Sequence, residues 1–384
     1  MDKPFTFPKA LLQFVILVII AWLFMYLVPG QWFVNWYLPM SFFLLMGTVT
    51  FGIVGLGWPF GAPGGSWRPG RNRWMTGILQ CIVWIAVALV FTAIETWVWP
   101  KMPLTGAPTA EGVPALYGVW FGIALFGFTL WYAFDGHYDG ADIRPYAKPW
   151  KNWLLATIVI LIAAGLIWFL IPNLDPTSGA DQAFNQGGKW FANDWFSLVV
   201  WIIVWIEIFG TTMVFQGWPF YKAGRKLHRM LVTLAALVLG YVCWRFLFPA
   251  FEAEGATFGW AAVAASLIGW ALLSSLIFGF YPFANTKQPL RGLGLFVLYQ
   301  LIVPAVWIVL LRYVLGPPIL HHINTAFTGD PNMGPADINL VTAWFMLHNL
   351  AIWALVHNLF FMRVPFAVPG PPLGPEEVPA PAAK

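Results

Sequence analysis

The sequence predicts an all-helical integral membrane protein with about ten spans, and three observations carry that prediction. Only 9% of its residues are charged and 60% are hydrophobic, whereas a soluble domain needs roughly 25% charged residues to cover its core. Apolar runs recur at about twenty residues, the length that crosses ~30 Å of hydrocarbon at 1.5 Å per residue. Lysine and arginine collect in alternate loops, so that sixteen of the 20 fall on one side, as the positive-inside rule requires.

The apolar runs place spans at 10–28, 36–57, 74–98, 116–134, 152–171, 195–217, 229–248, 258–280, 291–315 and 339–362. The leading helix, 10–28, follows Lys3 and Lys9, as a signal peptide would. Val28-Pro29-Gly30-Gln31 offers no small-x-small cleavage site, so it reads as a retained span. The next eight spans pair as hairpins 36–98, 116–171, 195–248 and 258–315, and 339–362 stands as a final half-hairpin. Residues 1–366 thus form one transmembrane domain, followed by a Pro-rich tail, 367–384.

Charge sets the orientation. Lys3, Arg68, Arg71, Arg144, Lys148, Lys222, Arg225, Lys287, Arg291 and Arg363 all fall on the amino-terminal side, and only Lys101, Lys189, Arg245 and Arg312 on the other. Both termini are therefore expected in the cytoplasm of an inner (cytoplasmic) membrane. Ala107→Cys and Asp181→Cys should react with an impermeant thiol reagent from outside, and Gly65→Cys and Gly224→Cys should not; the reverse pattern overturns the orientation.

The hairpins share a punctuation. Gly57-Trp58-Pro59-Phe60, Gly217-Trp218-Pro219-Phe220, Tyr281-Pro282-Phe283 and Val364-Pro365-Phe366 close the second, sixth, eighth and tenth spans. Ala133-Phe134-Asp135-Gly136 fills the same slot after the fourth, with Asp in place of Pro. Every copy enters from the same side, which predicts parallel hairpin repeats. Proline stops each helix, and the flanking aromatic suits the headgroup boundary.

The basic balance, +4 with a pI near 9.0, is explained by topology, and no nucleic-acid partner is expected. Cys81 and Cys243 lie in apolar spans without a disulfide or zinc pattern. No P-loop, GxSxG, HExxH, CxxCH or Rossmann fingerprint occurs, so the sequence names no cofactor. Lipid is the partner the composition demands, and the apolar surface also suits a homo-oligomer or a larger membrane complex.

Glu207, in Trp201-Ile202-Ile203-Val204-Trp205-Ile206-Glu207, is the strongest candidate for chemistry. A charged carboxylate at bilayer depth costs roughly 3 kcal/mol or more, so it should face a bundle interior. There it suits a proton carrier or the counter-ion of a cationic solute, with Trp201 and Trp205 as cage walls through cation–π attraction. His348 and Asn349 in the last span lie at a similar depth, and meet Glu207 if the sixth and tenth spans touch. His357 falls nine residues beyond His348, two and a half helical turns away, so the two face opposite sides. Interhelical hydrogen bonding is the structural alternative for all of these. Asp135, His137, Asp139 and Asp142 form a weak metal-ligand candidate that reads first as a polar cytoplasmic turn. His321 and His322, expected in an extended outer loop, point apart there and chelate poorly. Glu95, Arg245 and Arg312 mark the outer ends of their spans and read as snorkelling side chains.

The functional expectation is a permease for a small polar or cationic organic solute, proton-coupled through Glu207, a non-enzymatic transporter being favoured over an enzyme. The competing expectation is an intramembrane enzyme, or an accessory subunit of a redox or photosynthetic complex using the histidines. No two histidines share a helix face at the spacing of haem or di-iron sites, which weighs against that alternative.

Overall fold

A computed structural model describes residues 6–55, 57–60, 73–98, 113–135, 148–170, 195–210, 213–253, 258–361 and 365. All regular structure among them is helical. The helices are α1 (Phe7–Leu27), α2 (Gly30–Val54), α3 (Arg73–Val98), α4 (Val113–Leu130, followed by a π turn Trp131–Asp135) and α5 (Pro149–Leu170). Then come α6 (Trp195–Phe209), α7 (Arg225–Ala253), α8 (Gly259–Leu276), α9 (Leu290–Thr328) and α10 (Ile338–Leu359). Eight are long and apolar enough to cross a membrane, and shorter apolar stretches, Phe121–Ala133 and Ser197–Phe209, occupy the fourth and sixth predicted spans. The chain is a polytopic helical membrane protein.

The helices sort into two layers. Buried residues make up 72% to 89% of the span windows of α2, α8 and α10, but only 22% to 28% of those of α1, α3, α5, α7 and α9. The even-numbered helices touch in cyclic order, α2 to α4 to α6 to α8 to α10 and back to α2. Gly122 backs onto the Phe42 ring, Gly127 onto Ile203, and Gly269 onto Met346, so small residues set the spacing within this ring. Each ring helix carries one outer helix. Trp84 of α3 donates its indole N–H to the Leu44 carbonyl of α2 at 2.6 Å. Trp205 of α6 donates to Cys243 Sγ of α7 at 3.3 Å, and Trp307 of α9 meets Trp270 of α8 edge-on at 5.8 Å. The partner of α10 is α1, through Gln13 against His357 at 2.8 Å and Phe24 against Trp353. The outer helices turn residues such as Leu12, Ile82, Ile162, Leu234 and Val306 outward, toward lipid.

Three of the punctuation motifs adopt one turn. Gly57, Gly217 and Phe280, each two residues before the proline, have φ of 72°, 77° and 62°, and all three X–Pro bonds are cis. In each, the residue before proline donates to the carbonyl three back: Trp58 to Gly55, Trp218 to Phe215, Tyr281 to Phe278. The preceding residue reaches a helical carbonyl, Gly57 to Phe51, Gly217 to Phe209 and Phe280 to Ser274. That link encloses two more residues in the α6 copy than in the others. Gly217 is doubly required, since a Cβ there would also stand 2.6 Å from the His228 ring. Residues 362–364, beside Pro365, lie outside the described residues.

Two predicted boundaries are corrected. The span 195–217 is helical only to Phe209, where Gly210, a poor helix former, follows; the buried segment Met213–Gln216 then bonds back to the last turn of α6, Phe215 N–H donating to the Ile208 carbonyl at 2.9 Å. The ninth helix does not end at 315 but runs to Thr328, so His321 and His322 are helical and not extended. Pro317 and Pro318 fall in the first turn of the new segment, where a missing N–H costs nothing, and the π turn Leu311–Leu315 precedes them. At 39 residues, α9 exceeds what ~30 Å of hydrocarbon requires. Its last segment, Gly316–Thr328, lies across the α1–α2 corner: His322 Nε2 meets the Val28 carbonyl at 2.8 Å, and Gly30 abuts Ile323.

Asp337 caps α10, accepting from the Asn339 and Leu340 N–H groups at 2.7 and 2.8 Å. Burial raises its carboxyl above the usual range, against the pull of those N–H groups and of Arg312. An acid raised in the folded state contributes most below its unfolded pKa, and that contribution is lost as pH rises through the folded value. Asp337→Asn, which keeps the cap, should therefore melt higher than the parent at neutral pH and lose that advantage toward acid. Asp337→Ala should cost about 1 kcal/mol.

Candidate functional site

Glu207 is fully buried in the last turn of α6, two residues before the helix stops. Its neighbours define where it points. Ile203 and Val199 back onto Gly127 of α4, while Ile202 and Trp205 meet Gly240 and Cys243 of α7. A helix turns about 100° per residue, so Glu207 stands about 200° from Trp205 and faces away from the outer helix. The same geometry separates it from Trp201, about 120° round the helix. Trp201 is itself buried, and its indole nitrogen has no hydrogen-bond partner among the described residues. The two tryptophans therefore do not converge on the carboxylate.

The shared turn gives Glu207 its counterparts. Counting two residues back from the helical carbonyl that the turn captures, Glu207 in α6 corresponds to Val49 in α2 and Leu272 in α8. Both are buried. The fold fills this position with an aliphatic side chain elsewhere, so the carboxylate is a local departure and not a demand of the turn.

His348 sits at the junction of α2 and α10. Its Nδ1 lies 2.5 Å from Ser41 Oγ, its carbonyl accepts from the Tyr37 hydroxyl at 2.5 Å, and its ring meets Phe42 edge-on at 4.7 Å. Asn349 is fully buried, donating to the Trp344 carbonyl at 3.1 Å, with Oδ1 left without a hydrogen-bond partner among the described residues. Within the ring α8 separates α6 from α10, so Glu207 and His348 stand on non-adjacent helices. His348 and His357 do face different partners, α2 and α1.

Two polar groups named from sequence, Glu95 and Arg291, have a different setting from the one expected, and a third, Gln216, was not singled out. Glu95 is 8% exposed, and its Oε1 has no hydrogen-bond partner among the described residues, whereas Arg245 and Arg312 are exposed. The signal was readable: Thr76, Gln80, Trp84, Ala88, Thr92 and Glu95 follow helical spacing and are all buried. Arg291, read as a loop charge, is buried instead, because it donates to Gln216 Oε1 at 2.5 Å and to the Thr286 carbonyl at 2.6 Å. Gln216 is fully buried in the turn below Glu207, so this contact ties the broken end of α6 to the start of α9.

Asp135 ends the π turn after α4, and His137, Asp139 and Asp142 lie outside the described residues. Among the described residues no three His, Cys, Asp or Glu side chains are placed to hold a metal ion. No known family model, curated protein or solved structure matches this chain.

Proposed function

We propose that the protein is a permease for a small polar or cationic organic solute, with Glu207 as its proton-carrying or counter-ion group. The observation that carries this reading is a fully buried carboxylate on a ring helix, placed where the other copies of the turn hold Val49 and Leu272. A charged carboxylate at bilayer depth costs roughly 3 kcal/mol or more, and intramembrane carboxylates characteristically mark solute, ion and proton pathways. His348 and Asn349 supply polar groups on a second ring helix, and His348 is only half-buried.

Proteoliposomes loaded with a pH-sensitive dye provide the test, with methylammonium, guanidinium, choline and neutral sugars as probes. One probe class is expected to move protons with itself across the membrane. Uptake and proton flux no higher than in empty liposomes for every probe would overturn the permease reading.

A further inference from the structure

A cavity of about 370 Å³ lies where the α4–α5 and α6–α7 pairs meet, and among the described residues neither Glu207 nor any other charged residue lines it. Ala124 and Gly127 of α4 and Ala236 of α7 give it depth. Phe128, Val199, Ile202 and Leu237 form its walls, and Ile167 of α5 closes one end. Its polar groups are Trp131 and Thr233, and the Trp131 indole N–H donates to Thr233 Oγ1 at 2.9 Å. That bond occupies the only side-chain N–H donor in the lining among the described residues.

We infer that this groove is a binding site for one hydrocarbon chain of a membrane lipid. Three observations select that occupant. The lining belongs to spans, so the groove lies at bilayer depth and opens sideways between α5 and α7, which scarcely touch each other. Leu237 is both a wall of the groove and 47% exposed on the outer face of α7, so the groove continues the lipid-contacting surface without a polar step. Finally, apolar cavities of ~150 Å³ already stay dry and accept small hydrocarbons, and this one is more than twice that size. A chain lying in it restores the dispersion contacts that an empty groove forfeits. Because Ile203 and Ile206 also line the groove, the bound chain would buttress the last turns of α6 from its outer side. The inference does not depend on the permease reading. An acyl chain and an isoprenoid tail share the required chemistry, and the measurement separates them.

The whole protein would be placed in nanodiscs of phosphatidylcholine bearing a diazirine on one acyl chain, irradiated, and mapped by peptide mass spectrometry. Adducts on the peptides carrying Phe128, Ile202 and Leu237 are expected several-fold above those on the exposed face of α3 around Val90. Val199→Phe, which fills the groove, should reduce them to the surface level, and Phe128→Trp provides a second filling variant should the first assemble poorly. Val242→Phe, on the exposed face of α7, should leave them unchanged. Lipid extracted from the washed protein identifies the chain as acyl or isoprenoid, and either is consistent with the site. Adducts spread evenly over all outer faces, or unaffected by both filling variants, would overturn it.

Discussion

Glu207→Gln is expected to abolish solute-driven proton movement in proteoliposomes while leaving expression and monodispersity unchanged. Glutamine keeps the shape and most of the hydrogen bonding of the carboxyl group but can neither carry a proton nor offset a positive charge. The expected loss is that of a missing proton-transfer group, about 10²-fold or more. Glu207→Leu sharpens the interpretation, since the fold holds Leu272 and Val49 at the corresponding positions. A leucine should therefore pack, and the variant should assemble and be inactive. A structural role for the carboxylate predicts the opposite pair of results. Glutamine would then be nearly silent, and leucine would impair assembly by leaving the groups around it unsatisfied. Transport retained in Glu207→Gln, with Glu207→Leu failing to assemble, would remove Glu207 from the mechanism.

The largest structural effect is expected at the crossing of α6 and α7. A Cβ on Gly240 would stand 2.8 Å from both the Cα and the backbone nitrogen of Ile202. Backbone cannot swing aside as a side chain can, so Gly240→Leu has to push the two helices apart along their whole contact. Overpacking usually costs about 1–3 kcal/mol, and a contact with helical backbone belongs at or above the top of that range. Gly165→Leu in α5 is the control, because nothing lies within 4 Å of a Cβ there. Helix propensity favours leucine over glycine at both sites by several tenths of a kcal/mol. A loss confined to Gly240→Leu therefore reports the crossing alone. The measurement is the monodisperse fraction after detergent extraction, with the melting temperature of whatever survives. Equal behaviour of the two variants would show that the helices are not packed this closely.

The membrane fold was legible because charge scarcity and twenty-residue periodicity are properties of the chain itself. The ends of α6 and α9 were not. Met213-Val214-Phe215 follows closely on Gly210-Thr211-Thr212 and keeps the window apolar, so hydropathy runs straight past the end of α6, and Pro317-Pro318 looks like a stop although it starts a turn of helix. Which helices form the ring was partly readable, since α2, α8 and α10 are the less hydropathic spans and the more buried ones. Lipid-facing and protein-facing residues are both apolar in a bilayer, so the direction of each face is hidden. At the candidate site, the carboxylate identified itself by rarity. Its divergence from Trp205 followed from two residues of helix turn, whereas the separation of Glu207 from His348 depended on α8 lying between them, which no local pattern records. Arg291 was misread because positive-inside counting treats every basic residue near a span end as a solvated charge.

The pairing of α1 with α10 has a consequence for how the protein is made. Four of the five outer helices lie against a ring helix close by in sequence, but α1 lies against a helix more than three hundred residues away. At roughly 5–20 residues per second, the first span has to wait about 15 to 65 seconds in the bilayer before its partner is synthesised. During that interval Gln13 lacks His357, and the seam between α2 and α8 stands open. A chain that stops short of the last span would leave both unsealed, so quality control of this protein is expected to recognise incomplete chains at that seam.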